Sequence, residues 1–291
     1  MKYDIHHRTT YNYEENVSYS HHLARLRAPH GSSRFLIAPN PDNISHYRDY
    51  FGNPTTYFTL TTPHKSLVID AYTTISLEEN GAASAQLDLS QPWELVRDTL
   101  RNSTAPGDLA AAEFTFPSPL CPVSAALAAY AETSFAPGKP ILEATKDLTQ
   151  RIFRDFEFDP KATTVSTPVH EVLEKRAGVC QDFAHLQTAC LRSLGLAVRY
   201  ISGYLRTDPP PGKPRLIGAD ASHAWVSIYV PHLGWTDFDA TNNVIPSLNH
   251  VPIAKGRDYL DISPVRGTVY GGGRQQLEIG VTVTPMEAQL H

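Results

Sequence analysis

Tyr3, Ile5, His7, Thr9, Tyr11 and Tyr13 occupy alternate positions, and Leu67, Ile69, Ala71, Thr73, Ile75 and Leu77 repeat the pattern. Spacing of period two puts one set of side chains on one face of an extended strand, whereas a helix needs a period of 3.6. Between the two runs stand the turn signals Pro29-His30-Gly31, Pro39-Asn40-Pro41-Asp42-Asn43 and Gly52-Asn53-Pro54. The chain therefore begins with an antiparallel β module ending near residue 85, within a β-rich N-terminal domain assigned to residues 1–110. Its tyrosine-rich strands offer apolar faces that need covering, so the module is expected to pack on the rest of the chain and to restrict access to any site there.

After Pro92 the period changes. Ser124 to Thr133 reads as a short helix, and Ile141 to Phe156 as a longer one with Pro140 at its start. Asp159 to Pro168 reads as a loop and Val169 to Lys175 as another short helix. From Cys180 to Leu194, residues Phe183, Leu186, Cys190, Leu191 and Leu194 share one helical face, and Gly195 stands where a C-terminal cap belongs. Three strands follow, Ala197 to Leu205, His223 to Val230 and Trp235 to Asp239. A last alternating run holds Leu277, Ile279, Val281 and Val283. Residues 111–291, these last strands included, make the second domain, and the fold class is α+β.

A net charge of −5 with no basic cluster argues against nucleic-acid binding. No apolar run approaches the ~20 residues of a membrane span, and the first residues lack the apolar core of a signal peptide. The chain is expected to be cytoplasmic, with no membrane partner. Its three cysteines, Cys121, Cys180 and Cys190, are too few for a disulfide framework and leave a thiol free to react. Gly271-Gly272-Gly273-Arg274 lacks the lysine and helix of a phosphate loop, and His170-Glu171 lacks the second histidine of a zinc motif. No cofactor or metal is called for.

Cys180 is the cysteine with a chemical setting. It follows Gly178-Val179 and opens a helix, where free N–H groups and the helix dipole favour a thiolate and can hold an oxyanion. Cys190 falls mid-helix on the apolar face, and Cys121 has no activating feature, so both read as buried packing residues. A nucleophilic thiol needs a base, and His223 opens a strand whose hairpin partner, Gly234-Trp235-Thr236-Asp237-Phe238-Asp239, carries two acids. With a three-residue loop at 231–233, Val230 pairs with Gly234 and His223 lies opposite Thr241. Asp239 is then its diagonal neighbour on the same face, about 7–8 Å away between Cα atoms, and Asp237 is one step further. Asp239 is expected to orient His223, and Asp237 to be a solvated strand residue. Trp225 shares the face of His223 and reads as core. Gln181, Asp182 and His185 either line the cleft or support the helix. Arg206 to Arg215 reads as a loop over the site.

Arg176-Ala-Gly-Val-Cys-Gln-Asp-Phe-Ala-His185 resembles the nucleophile motif of bacterial transglutaminase-like proteins, which are related to papain-like cysteine proteases. His223-Ala-Trp-Val and Gly234-Trp-Thr-Asp-Phe-Asp-Ala-Thr-Asn-Asn243 resemble their histidine and aspartate motifs. Tyr3, Asp49-Tyr-Phe-Gly-Asn53, Arg257-Asp-Tyr and Gly271-Gly-Gly273 extend the resemblance over nearly the whole chain. It departs at Ala240, where the family usually has proline, and no tryptophan lies between Trp93 and Trp225 to serve as the oxyanion donor of the animal enzymes; the backbone N–H of Cys180 is the one donor named. The resemblance implies a papain-like core with the Cys180 helix on an antiparallel sheet, a Cys180-His223-Asp239 triad and a thioester intermediate. The substrate would be a peptide or protein amide. Water is the default acceptor, so hydrolysis is expected first, transfer to an amine second, and a catalytically idle binding protein third.

Overall fold

In a computed structural model, which describes residues 1–78, 87–207 and 221–286, the first alternating run is one 23-residue strand, β1 (Lys2–Ala24). Tyr3, Ile5, His7, Thr9 and Tyr13 are buried on one face. A bulge between Val17 and Tyr19 then reverses the parity, so that Ser20, His22 and Ala24 become the buried set. One inserted residue moves every later side chain to the opposite face, which lets a single long strand serve two packing surfaces.

β2 (Ser32–Ala38), β3 (Asn43–Arg48), β4 (Pro54–Leu60) and β5 (His64–Ser76) complete the N-terminal sheet in the order β2-β5-β1-β4-β3. β5 pairs mainly with the first half of β1 and β4 with the end of it, which leaves the other edge of each half open. The C-terminal strands fill those edges: β12 (Val265–Gly271) pairs residues 17–24 of β1, and β13 (Gln275–Met286) pairs residues 2–13. The strands that end the chain thus complete the first sheet. Open backbone N–H and C=O groups along β1 need partners, and the end of the chain supplies them. Val281 and Val283 are buried, while Leu277 and Ile279, in the same alternation, stay exposed.

The helices of the core are α1 (Trp93–Asn102), α2 (Pro106–Ala112), α3 (Ala125–Glu132), α4 (Ile141–Asp155), α5 (Val169–Lys175) and α6 (Cys180–Ser193). Ser124 caps α3 by accepting from the Leu127 N–H. Trp93, Val96 and Leu100 belong to the same apolar cluster as Leu148 of α4 and Leu186 of α6. Residues 93–100 thus share the apolar core of the later helices. Helix α1 has the local signals of a helix, Pro92 just before it and buried Trp93, Val96 and Leu100 at helical spacing. Helix α6 packs on a four-stranded antiparallel sheet, in the order β10 (Gly234–Phe238), β9 (Ala221–Val230), β8 (Val198–Leu205) and β11 (His250–Gly256). Among the described residues no helix is long and apolar enough to cross a membrane.

The two sheets meet through an apolar cluster that joins Tyr3, Ile5, Ile75, Val281 and Val283 to Tyr204, Val251 and Ile253 of the core. Within it His7 is buried, which pushes its imidazole down to about 4 and keeps it neutral. The Tyr204 hydroxyl donates to His7 Nδ1 at 3.0 Å, and Nε2 contacts Thr9 Oγ1 at 2.8 Å. A second tie comes from the Asp49–Asn53 turn. Asn53 Nδ2 donates to the Lys255 carbonyl at 2.8 Å, and the Lys255 N–H donates to Asn53 Oδ1 at 2.9 Å. Asp49 is fixed in turn by Arg25 Nε at 2.8 Å. Replacing Asn53, which is 2% exposed, by alanine leaves two β11 backbone groups unpaired and is expected to lower the unfolding free energy by about 1–3 kcal/mol. Urea denaturation measures this, and an unchanged midpoint would show that the clamp contributes nothing.

Candidate active site

Cys180 is placed by a short chain of local constraints. Helix α5 stops at Arg176, which adopts a left-handed conformation (φ 54°) and lays its guanidinium over Tyr130 and Phe156. The two-residue strand β7 (Ala177–Gly178) then pairs in parallel with β6 (Glu157–Phe158). Next, Asp182 folds back over the start of α6 and accepts from the Val179 N–H at 2.8 Å and from Thr163 Oγ1 at 2.6 Å. A Cβ at residue 178 would lie 2.7 Å from that carboxylate, so the fold-back requires Gly178. Cys180 and Gln181 thus become the first two residues of α6, and their N–H groups have no acceptor within the helix. Cys180 is partly exposed, whereas Cys121 and Cys190 are fully buried. Burial pushes the Cys121 thiol up to about 12 and that of Cys190 higher still.

The hairpin has the expected register: Gly234 pairs with Val230 and Phe238 with Val226, around a three-residue loop at 231–233. Asp239 leaves the ladder and opens a turn closed by paired backbone bonds with Val244. Its carboxylate is fully buried and touches His223 Nε2 at 2.8 Å through Oδ2. Because Nε2 is held by Asp239, Nδ1 is the nitrogen left for the neighbouring Cys180 thiol, which acts on the ring electrostatically. Burial pushes the His223 imidazole down, but the hydrogen bond to Asp239 and the neighbouring Cys180 outweigh it and hold the ring up at about 9.

Two further partners of Asp239 escaped sequence reading. His250 Nε2 donates to Oδ2 at 3.0 Å, and Asn242 Nδ2 donates to the same oxygen at 2.7 Å. The N–H groups of Thr241 and Asn242 bind Oδ1 at 2.9 and 3.3 Å. Five donors therefore converge on one carboxylate. Burial alone would raise its pKa, but the bonds from His223, His250 and Asn242 hold it well below the ordinary carboxylate range. Asn242 was legible in principle, since Asp-x-Thr-Asn is an Asx-turn pattern. His250, one of thirteen histidines, lies on β11 and carries no local signal.

Two expectations change. Asp237 is half-buried, not solvated: it accepts from Trp225 Nε1 at 2.9 Å, so Trp225 is tied as well as packed. His185 supports the helix, because its buried ring accepts from the Tyr259 N–H at 3.2 Å and packs against Tyr200. Burial pushes that imidazole down to about 4. Gln181 Nε2 donates to the Val165 carbonyl at 3.1 Å and so holds the preceding loop. Of the loop expected over the site, residues 208–215 lie outside the described residues.

Residues 128–240 match the family described as the transglutaminase-like superfamily, and residues 3–76 match the bacterial transglutaminase-like N-terminal region. An uncharacterised protein of Mycobacterium tuberculosis (strain H37Rv) is 40% identical over 299 residues, covering 98% of this chain and 93% of its own. The chain belongs to the transglutaminase-like superfamily. An uncharacterised Mycobacterium leprae protein is 30% identical over 96% of both chains. A solved protein of Cytophaga hutchinsonii, provisionally described as a cysteine protease, shares the fold with a TM-score of 0.72 at 21% identity, covering 99% of this chain and 92% of its own. At the level of the superfamily, the chemistry supported is thiol-dependent acyl transfer.

In this transglutaminase-like chain, His223, Asp239 and His250 also have the donor set of a small metal site, with ligand atoms within 4.8 Å of one another. Sequence spacing did not reveal it, since His250 comes from another strand. The site's distances are those of hydrogen bonds radiating from one oxygen, and the Asn242 amide occupies the same oxygen. An ion there would have to expel that amide.

Iodoacetamide near neutral pH is expected to label Cys180 well before Cys121 or Cys190, read by peptide mass spectrometry; equal labelling of all three would contradict the burial pattern. Stability should also follow His223. Its folded pKa of about 9 lies above the ordinary 6.5, so its contribution is complete below pH 6.5 and is lost as pH rises through 9. Denaturation midpoints between pH 6.5 and 9.5 should fall more steeply for the native chain than for His223→Ala.

Proposed function

We propose that the protein hydrolyses amide bonds of peptides or peptide amides, with Cys180 as nucleophile, His223 as general acid and base, and Asp239 as the group that orients His223. The observation that carries this reading is the placement of one buried imidazole between a helix-terminal thiol and a carboxylate saturated with donors. The Cys180 thiolate attacks the carbonyl carbon, and the C=O electron pair moves to oxygen, where the Cys180 and Gln181 N–H groups can receive it. Collapse breaks the C–N bond, and His223 Nδ1 passes its proton to the leaving amine. The resulting thioester is attacked by water, which gives its proton back to His223 as the thiolate departs.

Asp239 contributes geometry and charge. With Nε2 bound to Oδ2, the imidazole cannot rotate away from the sulfur, and the imidazolium that forms sits against a negative charge. Transfer to an amine uses the same thioester with a different acceptor and is the second reading, favoured by the family's description. The third, a binding protein without activity, has to explain why a thiol, an imidazole and a buried carboxylate are kept in line. The N-terminal module, docked on the core sheet, fits substrates that are short or flexible.

Incubating the chain with a panel of peptide amides, with and without added amine, separates these readings. Free acid as the main product supports hydrolysis, amine adduct supports transfer, and no turnover over the whole panel supports the binding protein. Asp239→Asn should lower turnover roughly 10³–10⁴-fold, because an amide NH₂ would face donors it cannot accept from. Asp237→Asn, which still offers Trp225 an acceptor, should retain most activity. Turnover in native protein should decline above about pH 9 as the His223 imidazolium is lost.

A further inference from the structure

The face of the core sheet that carries His223 also carries, about 13 Å further along β9, a row of polar residues that the acyl-transfer chemistry does not use. Arg199 of β8 pairs with Ser227 of β9, and Ser227 pairs with Asp237 of β10, so the three side chains lie side by side on one face. Ser227 is fully buried and its hydroxyl has no partner. Arg199 Nε is likewise buried without a partner, and no carboxylate among the described residues forms an ion pair with this guanidinium. Its Cζ lies over the Trp235 ring, 4.3 Å from the centroid. Stacking of that kind occupies the face of a guanidinium and leaves its in-plane N–H donors open. The nearby Asp237 is already engaged by Trp225.

A cavity of about 320 Å³ opens over this row, between the core sheet and the N-terminal module. Besides Arg199 and Asp237 it is lined by Lys255 of β11 and by Arg48 and His30 of the module. Three permanent cations thus face one carboxylate. Burial lowers the pKa of Arg199 more than Asp237 raises it, and partial burial together with the neighbouring Arg199 lowers that of Lys255. A second cavity of about 230 Å³ shares Arg199 and Asp237 and is lined also by Glu78 and by His250, whose Nε2 contacts Asp239.

We infer that this cavity is a binding site for a small oxyanion, a carboxylate or a phosphate group, with Arg199 as its bidentate anchor and Lys255 as the supporting charge. The ligand's oxygens satisfy the in-plane donors of Arg199, and its charge balances a cation that the fold leaves unpaired. The site is separate from the thiol cleft and independent of which acceptor the thioester uses.

Isothermal titration calorimetry on the full chain, at constant ionic strength, tests the inference with sodium phosphate and with sodium succinate as probes. One or both should bind with a Kd in the millimolar range or tighter. Arg199→Gln should weaken binding at least tenfold, Arg199→Lys should recover part of it, and Lys255→Gln should weaken it several-fold. Cys180→Ala should leave it unchanged. Tighter succinate binding identifies a carboxylate ligand, and tighter phosphate binding a phosphate ligand. If Arg199→Gln loses its native circular dichroism, the exposed Lys255→Gln substitution decides. Binding of neither probe, or equal binding by native protein and the substituted chains, overturns the inference.

Discussion

A carboxylate taken wholly out of water keeps its charge only if other donors replace the lost solvent. Asp239 meets that condition with two backbone N–H groups, an amide and two imidazoles. Each donor comes from a different constraint. The turn from Asp239 to Val244 brings Thr241 and Asn242, the β10–β9 register brings His223, and β11, two strands away from β9, brings His250. Removing any of them would leave buried charge short of a partner, so the carboxylate fixes the end of the sheet as much as the sheet fixes the carboxylate. The proline that the family usually has after this aspartate is replaced by Ala240 without loss of the turn, because the side chain of Asp239 and the Val244 bridge hold it.

The opposite wall of the site is set from the other side of the sheet. Helix α6 lies on β8 and β9 through Leu186, Val198, Val226 and Ile228, and this packing sets where its N-terminus points. Asp182 and Gly178 then settle which residue opens the helix. The Cys180 thiol therefore depends on apolar packing for its position and on one buried acid for its register. The N-terminal sheet stabilises the far edge of the core by docking on β8 and β11, and it is itself closed by the end of the chain. The N-terminal sheet is therefore discontinuous in sequence, whereas the elements of the core follow one another along the chain.

What could be read from residues was whatever repeats or punctuates locally. Period two gave the first strands, period 3.6 with Pro140 and Gly195 gave α4 and α6, and the hairpin arithmetic of 230 and 234 placed Asp239, and not Asp237, beside His223. The bulge at Val17–Tyr19, the route of β12 and β13 to β1, and the membership of Trp93 in the core were not legible. Each depends on a partner distant in the chain, and an open strand edge or a half-covered apolar face does not name what will cover it.

The amino-acid order by itself determined the fold class, the helix that Cys180 opens and the pair of strands carrying His223 and Asp239, because turn residues, periodicity and hairpin register act over a few residues. Only the tertiary structure decided that His250 completes the shell of Asp239, that Asp237 is bound to Trp225, and that Arg199 lies unpaired over Ser227. Those contacts arise where three or four strands lie side by side. The order and offset of strands across a sheet follow from packing over the whole core, and no local run of residues encodes them.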